Sequence, residues 1–179
     1  MQKFTLDEAL TMAAEHQQAG RFKEAEAIYR QLLQQTPDHA KLQNLWGMLC
    51  YQTNRLTEAV AAFEKAAALA PQTAEIHNNL GEALRACGEY RRAEQAALRA
   101  LSLSPETPEF YVNLATILRE QGKLDEADSR LRQAIALDGH YVEAYSDLAG
   151  VLAVRGRLDE AMRMAQAAAS RPTPSDMTT

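Results

Sequence analysis

The sequence is poor in the residues that build disulfide-bonded or nucleic-acid-binding proteins. It has two cysteines, Cys50 and Cys87, and aromatic residues make up only 6% of it. Two thiols at a spacing that fits no metal or redox motif are typical of a reducing compartment and argue against a disulfide framework. The formal net charge of −5 argues against a nucleic-acid partner, because contacts with phosphates need a basic surface.

Long apolar runs and chemical motifs are also missing. No segment approaches the ~20 apolar residues that a membrane-spanning helix needs, and acidic residues interrupt the N-terminal segment where a signal peptide would be apolar. The four histidines have no ligand spacing, and no phosphate loop, nucleophile elbow or catalytic acid pair is present. We therefore expect a cytoplasmic protein without membrane insertion, catalytic residues, metal or cofactor.

What the sequence does contain is one six-residue pattern that occurs five times at an interval of 34 residues. The copies read GRFKEA, NRLTEA, GEYRRA, GKLDEA and GRLDEA, and they begin at residues 20, 54, 88, 122 and 156. A fixed period of this size predicts an array of supersecondary units, each packed on its neighbours. The predicted organisation is an N-terminal lead at 1–5, repeats at 6–39, 40–73, 74–107, 108–141 and 142–170, and a disordered tail at 171–179.

The third repeat shows the structure that each unit is predicted to have. Apolar residues recur at helical spacing from Ile76 to Cys87, and Gly88 then permits the left-handed turn that ends a helix. A second amphipathic helix follows and stops at Pro105, which cannot donate a backbone hydrogen bond. Acidic residues after the turn, as in LDEA, suit the first turn of the second helix. Each unit is therefore predicted to be a helix–turn–helix pair.

These columns resemble the tetratricopeptide repeat. The residues that carry the resemblance, with their counterparts in the other copies, are Leu80, Gly81, Gly88, Tyr90, Ala93, Ala100 and Pro105. The resemblance implies an all-α, right-handed superhelical solenoid of five 34-residue repeats, whose first helices line a concave groove that binds a peptide or protein. Asn54 and Gly139 depart from the pattern, since they replace a turn glycine and a closing proline. Asparagine tolerates the left-handed turn.

One column of the predicted groove consists of Asn79, Asn113 and Asp147. An asparagine side chain offers a donor and an acceptor, so a ladder of them can pair with an extended peptide backbone. A similar ladder occurs in the repeat arms of bacterial O-linked N-acetylglucosamine transferase-like proteins, although the column can equally be a surface inherited by duplication. The other predicted groove residues share the exposed stripe of the first helices, and they are Lys41, Asn44, Met48, Glu75, Asn78, Glu82, Glu109, Thr116 and Glu143.

The C-terminal end of the array raises a second possibility. Solenoids normally finish with a polar capping element, but no further amphipathic helix follows the fifth repeat. Met162, Ala165 and Ala168 are therefore expected to be exposed and available for stacking on another copy. Three functions remain open: a scaffold that binds an extended segment, a substrate-presenting N-terminal arm of a larger glycosyltransferase- or sulfotransferase-type enzyme, and a self-stacking module.

Overall fold

The computed structural model describes residues 5–171, and within them the chain forms ten α-helices and no strand. The predicted disordered tail lies outside the described residues apart from Arg171, and so do residues 1–4 of the predicted lead. The all-α fold of five helix–turn–helix pairs is as the sequence predicts. The helices are α1 Leu6–Gln18, α2 Phe22–Gln35, α3 Ala40–Gln52, α4 Leu56–Leu69, α5 Ala74–Ala86, α6 Tyr90–Leu103, α7 Pro108–Glu120, α8 Leu124–Leu137, α9 Val142–Val154 and α10 Leu158–Ala169.

The chain divides into two compact units, Met1–Glu89 and Tyr90–Thr179, which we call unit 1 and unit 2. Unit 1 contains α1 to α5, and unit 2 contains α6 to α10. Within each unit every helix packs against the next one along the chain. Most contacts are therefore local, as expected of a repeat array.

The turn between the two helices of each pair is left-handed in all five copies. Its φ angle lies between 72° and 77° at Gly20, Gly88, Gly122 and Gly156, and is 60° at Asn54. Asn54 is the only non-glycine residue with a positive φ in the part of the chain that the structure describes. The prediction that asparagine can take the place of the turn glycine is confirmed.

The core of unit 1 alternates large and small side chains. Phe63 of α4 is buried against Gly47 of α3, where a Cβ atom would lie 2.7 Å from Phe63 Cε1. Cys50 is fully buried, as its column predicts, and burial raises the pKa of its thiol to about 11. The small residue at position 47 therefore sets how closely α3 and α4 approach.

Unit 2 contains a charged cluster around the buried Asp128 of α8. Its carboxylate accepts hydrogen bonds from Arg132 Nε at 2.5 Å, Arg155 Nη1 at 2.5 Å and Arg157 Nη1 at 3.0 Å. Arg157 also donates to Glu160 Oε1 at 2.7 Å. Glu160, which belongs to the second LDEA segment, therefore pairs with Arg157 in addition to occupying the start of a helix.

One hydrogen bond recurs between each inter-repeat loop and the helix that follows it. The side chain at the fourth position of a repeat donates to the carbonyl oxygen six residues earlier. This bond connects the loop to the first helix of the repeat. Its donor is a glutamine, a histidine or a tyrosine, depending on the repeat. The pairs are Gln43 with Pro37 O at 2.7 Å, His77 with Pro71 O at 3.1 Å, Tyr111 with Pro105 O at 2.9 Å, and Tyr145 with Gly139 O at 3.2 Å.

Candidate functional site

Three of the predicted groove residues meet where α3 and α5 pack together in unit 1. Asn79 Nδ2 donates a hydrogen bond to Asn44 Oδ1 at 3.0 Å, and Asn44 Nδ2 lies 3.9 Å from Met48 Sδ. The helical spacing of Asn44 and Met48, four residues apart, places them one above the other on α3. Asn79 therefore binds Asn44, which does not belong to the predicted column of Asn79, Asn113 and Asp147.

A cleft of about 110 Å³ opens beside this pair, and we call it the unit 1 cleft. The buried Phe63 and the thioether of Met48 supply apolar surface, while side-chain amides and a carboxylate supply polar groups. An apolar surface with a few polar groups is the usual composition of a ligand site. The lining residues are Met48, Tyr51, Gln52, Phe63, Asn79 and Glu82.

A chain of hydrogen bonds leads from the buried core of unit 1 to the cleft. The hydroxyl of Tyr29 donates to Gln17 Oε1 at 3.0 Å, and Gln17 Nε2 donates to Gln52 Oε1 at 2.8 Å. Tyr29 and Gln17 are both buried, and burial raises the pKa of Tyr29 to about 12. The phenol therefore stays protonated at neutral pH and acts as a donor. Sequence reasoning missed this chain because its members come from three helices at unrelated positions of the repeat.

The corresponding face of unit 2 is charged. Asp147 of α9 accepts a hydrogen bond from Thr116 Oγ1 at 3.4 Å and lies 3.9 Å from Arg119 Nη1. Asn113 is half-buried on α7, in the same column as Asp147. The unit 2 face therefore presents an ion pair where unit 1 presents neutral amides.

The remaining predicted groove residues do not all lie at the surface. Lys41, Glu75, Glu109 and Glu143 are exposed near the starts of their helices. Asn78 is only 4% exposed, so the expectation that it lines an open surface is wrong. Its side chain is packed within the helix layer, and its Nδ2 donates to Glu82 Oε1 at 3.3 Å.

A second, wider depression of about 350 Å³ lies among α2, α3 and α4 of unit 1. Leu33, Trp46 and Ala62 contribute apolar surface to it. The guanidinium groups of Arg30 and Arg55 lie 5.5 Å and 4.9 Å from the centre of the Trp46 ring. The two arginines therefore cover part of the Trp46 ring, which stands where the third, fourth and fifth repeats have a leucine.

The last helix, α10, presents apolar side chains to solvent. Leu158 and Met162 are 62% and 63% exposed, and Ala165 is exposed as well. Ala168 is only 9% exposed, so the expectation that it belongs to this surface is wrong. The residue equivalent to Ala165 in the second repeat, Phe63, is buried, and α4, on which it lies, packs against a following first helix, which α10 lacks within the described residues. The exposed side of α10 is thus the side that a neighbouring helix covers in earlier repeats.

Neither a membrane span nor a metal cluster is found among residues 5–171. None of their helices combines the length and the apolar character required to cross a bilayer. No three of their His, Cys, Asp or Glu side chains are grouped so that they could hold a metal ion.

Comparison with known families gives matches along most of the chain. A family model described as tetratricopeptide repeat matches residues 10–74, 58–108 and 78–128. A second model with the same description matches residues 118–173. No curated protein sequence matches the chain.

Solved structures with the same fold have low sequence identity to the chain. MamA is 20% identical with a TM-score of 0.80, and the match covers 94% of this chain and 95% of MamA. PilF from Pseudomonas aeruginosa is 20% identical with a TM-score of 0.83, over 93% of this chain and 76% of PilF. YrrB, described as having an unusual peptide-binding site, is 21% identical with a TM-score of 0.72, over 89% of this chain and 82% of YrrB. Likenesses at this identity show the fold alone.

Proposed function

The chain belongs to the tetratricopeptide-repeat family, and on this premise we propose that it is a non-enzymatic scaffold that binds an extended peptide or protein segment on its first helices. The observation that carries the proposal is the unit 1 cleft, where Met48, Asn79 and Glu82 surround apolar surface. The similarity to YrrB, described as a peptide-binding repeat protein, supports the same class of function.

The energetics require more than the asparagine column. A hydrogen bond contributes roughly 0.5–1.5 kcal/mol net, whereas micromolar affinity needs about 8 kcal/mol. Asn79, Asn113 and Asp147 would therefore supply a minor share, and burial of apolar side chains against Met48 and Phe63 would add to it. The exposed Glu75, Glu109 and Glu143 favour a basic or neutral segment.

The test compares partner capture by the wild-type full chain and by the triple variant Asn79→Ala, Asn113→Ala, Asp147→Ala. The matched control is Gln31→Ala, Gln95→Ala, Gln133→Ala, which removes three exposed polar side chains from second helices. The captured partner is then titrated as a purified segment against all three proteins. We expect the first variant to lose affinity at least ten-fold and the control to bind as the wild type does. Equal binding by all three would refute a site on the first helices.

A second candidate function, self-association through α10, is favoured by the exposure of Leu158 and Met162. Head-to-tail stacking is a poor match, because α1 carries the exposed Glu8 and Glu15 at the positions where α3 carries the buried Leu42 and Leu49. We therefore propose that two α10 helices pair with each other.

The charges on α10 suit such a pair. Asp159 and Arg163 are both exposed and lie four residues apart, so an antiparallel arrangement brings Asp159 of one copy opposite Arg163 of the other. Sedimentation should show a dimer that Met162→Glu dissociates and that Glu8→Ala leaves intact. A monomer at every accessible concentration would refute this candidate.

The finer resemblance to glycosyltransferase repeat arms and the cytoplasmic location remain proposals. The asparagine column of Asn79 and Asn113 supports the resemblance to glycosyltransferase repeat arms. The two free cysteines support a reducing compartment such as the cytoplasm. A reading frame that continues into a transferase domain would support the arm, and cell fractionation tests the location.

A further inference from the structure

We infer that Gln52 and Asn79 form a donor–acceptor pair for one peptide unit, and that the buried hydroxyl of Tyr29 holds Gln52 in this orientation through Gln17. The inference rests on the proposed function and deepens it. It names the peptide unit as the group that the unit 1 cleft recognises, and it names Tyr29 as the residue that positions the donor Gln52.

The direction of the hydrogen bonds gives Gln52 its role. Tyr29 has a single hydroxyl proton and donates it to Gln17 Oε1, so the NH₂ group of Gln17 faces Gln52 Oε1. The oxygen of the Gln52 amide accepts this bond, and the NH₂ group of the same side chain can serve as a donor to a ligand in the cleft that Gln52 lines. Because Tyr29 and Gln17 are buried, water does not compete for the bond between them, and this bond fixes the orientation of the Gln17 amide.

Asn79 supplies the complementary acceptor. Its NH₂ group donates to Asn44 Oδ1 at 3.0 Å, which leaves Asn79 Oδ1 as an acceptor. Gln52 and Asn79 line the same cleft of about 110 Å³. A peptide unit has one N–H and one C=O, so a donor and an acceptor on two sides of a cleft match it.

The apolar surface and the carboxylate of the cleft indicate which ligand side chain binds next to this peptide unit. Phe63 and Met48 form surface for methylene groups, and the carboxylate of Glu82 lies at the same cleft. A carboxylate accepts more than one hydrogen bond, so Glu82 can bind a cation while Asn78 donates to it. A lysine combines an apolar stem with a cationic end and fits this chemistry.

The experiment is a titration of the ¹⁵N-labelled full chain with the peptide acetyl-Ala-Ala-Lys-Ala-Ala-amide. We expect the side-chain amide signals of Gln52 and Asn79 to shift in parallel as the peptide saturates the cleft. A second probe is methylated at the backbone nitrogen of its lysine and therefore cannot donate a hydrogen bond to Asn79 Oδ1. We expect this probe to bind about five-fold more weakly, the effect of one lost hydrogen bond. No shift of either signal at millimolar peptide would overturn the inference.

The positioning role of Tyr29 is tested by Tyr29→Phe. This variant keeps the ring and removes only the hydroxyl, and we expect it to shift the free-state amide signals of Gln17 and Gln52 and to weaken the lysine peptide about five-fold. Gln52→Ala should weaken the peptide equally, and the double variant should be no weaker than either single one, because Tyr29 acts through Gln52. Tyr111→Phe, which removes a hydroxyl bonded to Pro105 O in unit 2, is the matched control.

The outcomes separate this inference from the proposed function. Unchanged peptide affinity in Tyr29→Phe, or additive losses in the double variant, would refute the role of Tyr29. If the captured partner is nonetheless lost by the Asn79, Asn113 and Asp147 triple variant, the proposed function stands without this inference. If both fail, the first helices are not the binding surface.

Discussion

Units 1 and 2 follow the same 34-residue plan but differ in the size of the apolar side chains and in the number of arginines between successive repeats. Unit 1 buries the aromatic side chains of Tyr29 and Phe63 at the column where unit 2 has Ala97 and Leu131. At a second column both units pair a carboxylate with two arginines, Glu26 with Arg30 and Arg55 in unit 1 and Asp128 with Arg132 and Arg157 in unit 2. Asp128 is more deeply buried than Glu26 and binds a third arginine, Arg155. The repeat period fixes the backbone, whereas the space between repeats accommodates apolar side chains of different size and ion-pair clusters of different size.

The candidate binding faces of the two units also differ. Unit 1 presents the neutral amides of Asn44 and Asn79, and unit 2 presents Asp147 beside Arg119. Salt screens exposed charges and leaves neutral hydrogen bonds almost unaffected. Ligand hydrogen bonds with Asn79 should therefore survive a rise in salt concentration, whereas ligand contacts with Asp147, Arg119 or the Glu82 carboxylate of unit 1 should weaken.

The largest expected effect is the loss of the aromatic seam in unit 1. Phe63→Ala removes a buried ring that packs on Gly47 and should lower the free energy of unfolding by about 3–5 kcal/mol. Trp46, the single tryptophan, lies in unit 1, so its fluorescence during urea titration reports this unit directly. The control Leu98→Ala truncates an exposed residue of unit 2 and should change stability by about 0.5 kcal/mol or less. A loss below about 1 kcal/mol for Phe63→Ala would show that the packing of Phe63 on Gly47 contributes little to the stability of unit 1.

The charged seam of unit 2 should respond less strongly. Asp128→Asn removes the charge that three partly exposed arginines share, and it should cost about 2 kcal/mol, as measured by circular dichroism during denaturation. The loss should shrink in 1 M salt, because the wild-type pairs are then screened. Asp125→Asn is the control, since the Asp125 side chain is 85% exposed and its pair with Arg155 contributes little. Equal losses in the two variants would contradict a special role for Asp128.

Alkaline pH provides a milder way to weaken unit 1. Burial raises the pKa of Tyr29 from 10.0 to about 12 and that of Cys50 from 9.0 to about 11. The unfolded chain therefore ionises first, and stability is complete below about pH 9 and falls as the pH rises through 11 to 12. Between pH 8 and pH 11 we expect Tyr29 alone to account for a loss of about 1 kcal/mol.

Tyr29→Phe should make the decline in stability with pH less steep. Tyr141→Phe is an informative companion, because burial also raises the pKa of Tyr141, in unit 2, to about 12. Denaturation of both variants at several pH values measures each slope. An unchanged slope in Tyr29→Phe would show that its phenol ionises as freely in the folded chain as in the unfolded one.

The sequence predicts the repeats, their helices and their turns, because these depend on a periodic pattern that is repeated in every copy. The exposure of Asn78 was predicted wrongly, since helical spacing places a side chain on a face of its own helix but does not show how deeply that side chain is buried. The Tyr29–Gln17–Gln52 chain depends on distances between three different helices. Such contacts are set by packing, and the repeat pattern carries no signal for them.

The smallest expected effect concerns the left-handed turns, where unit 1 has Asn54 at φ 60° and unit 2 has Gly122 at φ 77°. A Cβ atom at Gly122 would meet no neighbour within 4 Å, so only the backbone conformation decides the effect of a substitution. Asparagine visits this conformation readily and alanine does not, so Gly122→Asn should cost less than about 0.5 kcal/mol and Gly122→Ala about 1 kcal/mol. Asn54→Gly should also stay within about 0.5 kcal/mol, because the relief of strain is offset by the greater entropy of the unfolded chain. Denaturant titrations of the three variants measure these differences, and a Gly122→Asn variant as unstable as Gly122→Ala would mean that the Asn54 turn depends on contacts that unit 2 lacks.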